Sequence, residues 1–337
     1  MLILGLETSC DDTAAAVLQG RNSLLSNVIN DQTNIHSKFG GIVPELAGRS
    51  HIDQVHRVIN QSLQSAHVKL KDIDLIAVTI GPGLIGSLLV GVNAAKGIAY
   101  GLGIPLIGVN HLEGHLLAIY LQKQVEFPFI SLVVSGGHTD LYRVDHFGKY
   151  KILGRTRDDA AGESFDKVAK MLGHKYPGGP KIEKIAKDGN PNAHKFPRAY
   201  LDNNSLDFSF SGLKTSVKTF IQNREHGKSI YLTDNDIAAG FQESVVEVLS
   251  NKIIKACKKE NLTRVVVTGG VAANGALRKA VKSACDNLSY EAYFPDPVYC
   301  TDNAAMIACA GYHRYKFSPD SKADLLNLDA STSSILG

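Results

Sequence analysis

Apolar residues along this chain fall into strand-length runs divided by short polar turns. Residues 2–18, LILGLETSCDDTAAAVL, read as an apolar strand, a polar turn and a second apolar strand, the pattern of a hairpin with an acidic tip. Residues 129–144, FISLVVSGGHTDLYRV, read the same way. After the first hairpin the pattern predicts a strand over 75–80, the Gly-rich loop GPGLIG, a helix over 88–101, a strand over 105–109 and a polar element opening at Asn110 and His111. After the second it predicts, in the same order, a strand over 264–268, the loop GGVAANG, a helix over 276–285, a strand over 291–294 and a polar element opening at Thr301 and Asp302. The chain reads as two similar halves.

Strands alternating with helices give an α/β fold. A hairpin followed by strand, Gly loop and helix, present twice, resembles the outline of the sugar kinase, Hsp70 and actin superfamily. It implies a duplicated actin-like ATPase fold with two lobes around a cleft. The expected division is a first lobe over 1–110, completed by a C-terminal helix over about 303–330, and a second lobe over 111–302 with a substrate-binding insertion over about 155–225. Hairpin turns and Gly loops expose backbone N–H groups that can cradle phosphates without hindrance from Cβ atoms. A doubly wound Rossmann protein alternates in the same way, but ETSCDD stands after the first strand where that fold needs G-x-G-x-x-G.

Composition narrows the class. A chain of 337 residues with 44% apolar content can fill the core of one large two-lobed domain or of two smaller ones. The longest apolar stretches, such as 75–80 and 130–134, have strand length and fall short of the roughly 18 to 20 residues that span a membrane. With no basic n-region and no Arg-rich presequence, the expected location is the cytoplasm, with no membrane contact. Five scattered cysteines without a C-x-x-C pair suit free thiols and exclude a Cys-type zinc ribbon. The formal charge is only +3, yet residues 143–228 carry 17 Lys/Arg against 10 Asp/Glu, which suits either a solvated surface or a nucleic-acid footprint. The end of the chain, STSSILG, is expected to fray.

The sharpest local feature is NHLEGH at 110–115, which sets His111 and His115 on one helix face. Two such imidazoles can hold zinc or iron with carboxylates or waters completing the site, or can be ordinary surface or hydrogen-bonded core histidines. Asp302 follows its strand where His111 follows its own, so pseudo-symmetry would carry it across the cleft to the pair. Glu113 lies about 200° around the helix from His111, so this is not the H-E-x-x-H arrangement of zinc peptidases. Asp11 and Asp12 at the first hairpin tip are candidates to orient a nucleophile or a metal-bound water, or are simply turn formers. His138 follows Ser135-Gly136-Gly137 on the second tip, as a ligand contact or a plain turn residue. Residues 162–172 predict an amphipathic helix showing Asp166 and Lys167. Residues 175–183, KYPGGPKIE, let backbone approach a ligand, with Glu183 placed to accept from a ribose hydroxyl, or form a surface turn. The stretch 206–215, LDFSFSGLKT, yields no chemistry.

The run GLETSCDDTAAAV, GGIVPELAGRSH, GPGLIGSLLVG, NHLEGH, VSGGHT, FDKVAK, YPGGP, FSFSGLKT, TGGVAANGALR and TDNAAMIA covers residue 1 to about 310. It resembles the bacterial TsaD family of tRNA N6-adenosine threonylcarbamoyltransferases, once described as O-sialoglycoprotein endopeptidases. The resemblance implies transfer of threonylcarbamoyl from threonylcarbamoyl-AMP to adenosine 37 of tRNAs reading ANN codons, giving t6A and AMP. It implies one divalent metal, Fe2+ or zinc, on His111, His115 and Asp302, and an adenylate-type ligand (threonylcarbamoyl-AMP, ATP or AMP) held by Val134, Ser135, Gly136, Gly137, His138, Asp166, Gly179, Glu183 and Asn274, with Asp11 assisting. Archaeal and eukaryotic relatives carry a metal-binding Tyr just before VSGG; Val133 stands here, leaving the fourth position to water, substrate or a carboxylate such as Asp11. Implied partners are tRNA, a TsaB-like paralogue docked on first-lobe helices including 41–66, a TsaE-like ATPase, and a TsaC-type synthase supplying the donor. Rival readings are a non-catalytic adenine-nucleotide-binding scaffold, which tolerates loss of His111 or Asp302, and a metalloendopeptidase, which needs a Glu on the His face.

Overall fold

The structure is a computed structural model and describes residues 1–199, 204–227, 232–317 and 327–336. It divides into two compact units, one of Met1–Glu126, His146–Tyr150 and Thr301–Gly337, the other of Phe127–Asp145 and Lys151–Cys300.

The first unit opens with β1 (Leu2–Glu7), β2 (Asp12–Gln19) and β3 (Ser23–Asp31), then α1 (Pro44–Ser65), β4 (Leu75–Gly81), α2 (Ile85–Leu102), β5 (Leu106–Asn110) and α3 (His111–Leu117). Its sheet runs β3-β2-β1-β4-β5. β1 and β2 pair antiparallel, while β1, β4 and β5 are parallel neighbours. Parallel strands covered on both faces read as unbroken apolar runs, which is why LILGLE and LIAVTIG show no polar alternation. Leu4, Leu6, Ile76 and Val78 share a core with Val58, Ile59 and Leu63 of α1 and Val92, Ala95 and Ala99 of α2.

The second unit holds β6 (Phe129–Val134), β7 (Thr139–His146), β8 (Lys149–Arg155), α4 (Ala161–Met171), α5 (Gly179–Ala186), α6 (Ser211–Glu225), α7 (Asp234–Glu260), β9 (Arg264–Thr268), α8 (Gly275–Asp286) and β10 (Glu291–Tyr293). Its sheet order, β10-β9-β6-β7-β8, is the first sheet's order read from the other edge. The duplication read from the pattern is therefore present strand for strand. α7 starts with a capping box in which Thr233 accepts from the Asp236 amide (3.2 Å) and Asp236 from the Thr233 amide (3.1 Å).

The segment 206–215, silent as sequence, has a structural use. Phe208 and Phe210 fill the core of this unit, and Asp158 accepts from the amides of Phe210 (2.8 Å) and Ser211 (3.2 Å) where α6 begins. Several cations of 143–228 are paired within the unit: Arg143 and Lys151 with Glu260, Arg157 with Asp207, and Lys167 and Lys214 with Asp159.

The chain then returns to the first unit as α9 (Ala304–Phe317). Of the helix expected over about 303–330, residues 304–317 are described as α9; residues 318–326 lie outside the described ones, and 327–336 carry no helix. Nor does the tail fray over 331–336. Ser331 donates to the Ile80 carbonyl (2.8 Å) and Asn110 donates to the Ser334 carbonyl (3.2 Å). Backbone groups of a polar tail find partners at strand ends, which the residue types do not reveal.

α2 is long and apolar enough, by length and composition, to cross a membrane, a point that counting uninterrupted apolar runs misses because Asn93 and Lys96 break the run. Only a third of it is buried, including Leu88, Gly91, Val92, Ala95 and Ala99, and it packs on β4 and α1.

α9 lies on β1, β2 and β4 at a distance only small residues permit: a Cβ at Gly5 would overlap the Ala304 carbonyl, and one at Gly311 would overlap Ala77. Gly5→Ala is expected to cost about 1–3 kcal/mol through overpacking, seen as a lower denaturant midpoint of the purified chain.

Candidate functional site

α3 begins where β5 ends. Asn110 caps it, accepting from the amides of Leu112 (2.8 Å) and Glu113 (3.4 Å), so the first helical residue is His111. One turn on comes His115, and the two rings meet edge to face with centroids 4.8 Å apart. Asp302 arrives from α9, whose cap Asn303 accepts from the Met306 amide (2.9 Å). Its Oδ1 lies 3.1 Å from His115 Nε2 and 3.6 Å from His111 Nε2. The three ligating atoms fall within 4.8 Å of one another, a group that could hold a metal ion. Gly114 helps to bring them together, since a Cβ there would press on Ile307 of α9.

The meeting of these three residues matches the sequence reading, but the route does not. Pseudo-symmetry was to carry Asp302 across the cleft to the pair, and the expected second lobe over 111–302 was to hold all three; instead all three belong to the first unit, with Asp302 delivered just ahead of α9. Glu113 is held off the His face: it is buried, accepts from the Tyr150 hydroxyl (2.9 Å) and pairs with Arg314 (3.3 Å).

A second layer escaped sequence reasoning. Glu7, ending β1 and 1% exposed, puts Oε2 3.0 Å from His111 Nδ1 and accepts there from the Thr79 hydroxyl (2.7 Å); its Oε1 accepts from the Ser9 amide (2.5 Å). Ser9 Oγ is 3.1 Å from the same Nδ1. The only hint in the sequence is a charged residue closing an otherwise apolar strand.

Charge is concentrated here. Burial alone would lower the His111 pKa, but Asp302 and Glu7 overcome it and push it up to about 9. For Glu7 burial raises the pKa, and the charge and hydrogen bond of His111 reverse this to a net lowering. His115, more deeply enclosed, is held below the usual imidazole range by burial. Asp12, at the start of β2, is pushed up to about 8 by burial and then by Asp302, Asp11, Asp31 and Glu7. Carboxylates that raise one another in this way mark a place where a cation would relieve repulsion.

In the second unit Val134, Ser135, Gly136, Gly137 and His138 form the end of β6 and the turn into β7. Ser135 and His138 close the turn through Ser135 N–H to the His138 carbonyl (2.8 Å) and His138 N–H to Ser135 Oγ (3.2 Å). Gly136 and Gly137 are exposed, with open space where a Cβ would stand. Gly162 of α4 lies against the Ser135 carbonyl, and Gly269, at φ +92°, against Val134. Farther along, Asp166 accepts from the Gly178 amide (2.7 Å), Gly179 opens α5, and Glu183 accepts from the Gly275 amide (2.9 Å). Asn274 caps α8 through the Leu277 amide (3.0 Å) and donates to Gln242 (2.8 Å). The nine residues thus lie along one chain of contacts from β6 through α4 and α5 to α8.

A family model described as tRNA N6-adenosine threonylcarbamoyltransferase matches residues 23–309. The chain belongs to that family. A protein of that name from Thermodesulfovibrio yellowstonii is 56% identical over 94% of this chain and 95% of its own. Another, from Clostridium kluyveri, is 50% identical over 99% of this chain and 98% of its own. Solved structures share the fold at lower identity. HypF of T. kodakarensis superposes with a TM-score of 0.64 at 14% identity, covering 95% of this chain and 49% of that one. The activator of the 2-hydroxyisocaproyl-CoA dehydratase from Clostridium difficile gives 0.55 at 14%, covering 96% and 99%. These are proteins of the actin-like ATPase fold, and the family member described here has that α/β fold too.

Asp166→Ala removes the acceptor that fixes Gly178. The expected result is a loss of about 1–2 kcal/mol of stability and faster amide exchange over 175–179, read by hydrogen–deuterium exchange mass spectrometry.

Proposed function

We infer that this chain transfers a threonylcarbamoyl group to N6 of an adenosine in tRNA, at position 37 of tRNAs reading ANN codons, with threonylcarbamoyl-AMP as donor. The observation that carries this is identity of 50% or more to transferases of that name along nearly the whole chain. The His111, His115 and Asp302 cluster supports it chemically.

The donor set fits a divalent metal. Tetrahedral zinc with ligands at about 2.0–2.1 Å sets its donors roughly 3.4 Å apart, and two donor separations here are 3.1 and 3.6 Å. The carboxylate crowding that raises Asp12 adds a field favouring a cation. His111, His115 and Asp302 would hold the ion, iron or zinc, with the fourth position open to water, substrate or a carboxylate such as Asp11. Bound there, it supplies Lewis acidity toward carbonyl or phosphate oxygens.

The remaining work falls to the chain's own groups. Attack by N6 on the carbamoyl carbon forms the N–C bond, breaks the bond to the phosphate oxygen and releases AMP and the N6 proton. Asp11 and Asp12 are the candidate acceptors for that proton; at about 8 the Asp12 carboxyl is mostly protonated at neutral pH, and a bound cation would lower it toward the ionised form that can accept. In the second unit, the open amides of Gly136 and Gly137 suit a phosphate. Ser135, His138, Asp166, Gly179, Glu183 and Asn274 form the frame around an adenylate, with Glu183 at the ribose hydroxyls.

Partner roles follow the family reading: a TsaB-like paralogue on first-lobe helices, a TsaE-like ATPase, and a TsaC-type synthase as donor source. Exposed Ile52 on α1 and Ile85 and Leu89 on α2 support an apolar docking face. The location that suits this work is the cytoplasm.

Incorporation of labelled threonine into unmodified ANN-decoding tRNA, with the donor synthase and partner proteins present, tests the reading. Labelling by the wild type should drop at least 100-fold in His111→Ala and Asp302→Ala. Absence of labelling by a folded, metal-loaded wild type would leave an adenine-nucleotide-binding scaffold as the better reading.

A further inference from the structure

We propose that Glu7 is a positioning residue that sets the tautomer and ring orientation of His111, so that its Nε2 lone pair is directed at the metal. The inference rests on the metal reading of the previous section and extends it to a residue that binds no metal itself.

The carboxylate of Glu7 is held from three sides. The Ser9 amide from the β1–β2 turn fixes Oε1 (2.5 Å), and the Thr79 hydroxyl from β4 fixes Oε2 (2.7 Å). Thr79 itself is fully buried. β1 and β4 are parallel neighbours in register at Leu6 and Val78, which places Glu7 beside Thr79 at the strand ends. The position of Oε2 is therefore set by the sheet before α3 contributes anything. His111 Nδ1 then lies 3.0 Å from it.

An ionised carboxylate only accepts hydrogen bonds, so the nitrogen facing it must carry the proton. With Nδ1 protonated, a neutral imidazole keeps its lone pair on Nε2, the nitrogen that faces Asp302 Oδ1 at 3.6 Å. A carboxylate behind a metal-ligating histidine also increases the basicity of the ring and stops it rotating. Burial sharpens both effects, since His111 and Glu7 are 5% and 1% exposed and water cannot replace the contact.

His115 offers an internal contrast. Its Nδ1 is buried with no hydrogen-bond partner among the described residues. Of the two histidines, only His111 thus has a carboxylate fixing the nitrogen remote from Asp302. Removing Glu7 should then weaken the site even though every ligand remains.

The test uses the full chain with zinc as probe. Affinity is measured by competition with a chromophoric chelator, and the His111 tautomer of the zinc-loaded protein by long-range proton–nitrogen NMR. Glu7→Ala and Glu7→Asp, the latter keeping the charge but withdrawing the oxygen from Nδ1, are each expected to lose 10- to 100-fold in zinc affinity. Glu7→Gln, whose amide oxygen can still accept from Nδ1–H while its NH2 meets the Ser9 amide donor and the charge is gone, should keep the Nδ1–H tautomer and lose less zinc affinity than Glu7→Ala or Glu7→Asp. Should Glu7→Ala not fold, Glu7→Asp decides. Zinc binding that is lost in His111→Ala but unchanged in folded Glu7→Asp would overturn the positioning role and leave the metal reading intact. A wild type that binds no zinc, or binds it equally well as His111→Ala, would overturn both.

Discussion

The packing of α9 against the first sheet is the constraint on which the rest of the site depends. A helix can approach strands that closely only when both surfaces are nearly bare of side chains. Here Gly5 meets Ala304 and Ala308, Gly311 meets Ala77, and Gly114 of α3 yields to Ile307. Once α9 is seated, Asp302 at its leading end has little freedom and comes to rest 3.1 Å from His115 Nε2. The carboxylate is thus placed by helix packing and the imidazoles by a strand-to-helix cap at Asn110. The two meet where Gly114 of α3 lies against the Ile307 and Met306 side chains of α9, so both are placed by packed elements of the fold.

The same topology serves two purposes in the two units. Both sheets repeat one strand order, yet the polypeptide after β5 enters a histidine-bearing helix, while the turn after β6 and the caps around α4, α5 and α8 present backbone amides and short polar side chains. Duplication supplies equivalent scaffold positions, and divergence at the strand ends decides which chemistry each carries. The polar side chains of the second unit are themselves structural. Asp166, Glu183 and Asn274 each satisfy a backbone amide, so their orientation is fixed before any ligand arrives.

The repeat was legible because strand-length apolar runs and Gly loops recur in one order, and the His pair because i, i+4 spacing fixes a shared helix face. The path of Asp302 was not legible. Equivalence by sequence order pointed across the repeat, whereas small residues on α9, Ala304, Ala308 and Gly311, record its seat on the first sheet only once the sheet is known. Glu7 was hidden for a related reason. Its partners Ser9, Thr79 and His111 come from three separate segments, and hydrogen bonds between distant segments leave no periodic trace. The tail misled through composition, since Ser331 and Ser334 look like loop residues but have partners in Ile80 and Asn110.

The first unit draws on chain segments far apart in sequence, and this has a temporal side. Asp302 lies 187 residues beyond His115, so at translation speeds of about 5–20 residues per second a nascent chain carries both histidines for roughly 10 to 40 s before the carboxylate exists. The stretch made in that interval includes all of the second unit, which holds its own core. A ribosome-bound chain therefore carries the two histidines long before the third member of the cluster exists, and the cluster closes only as synthesis ends.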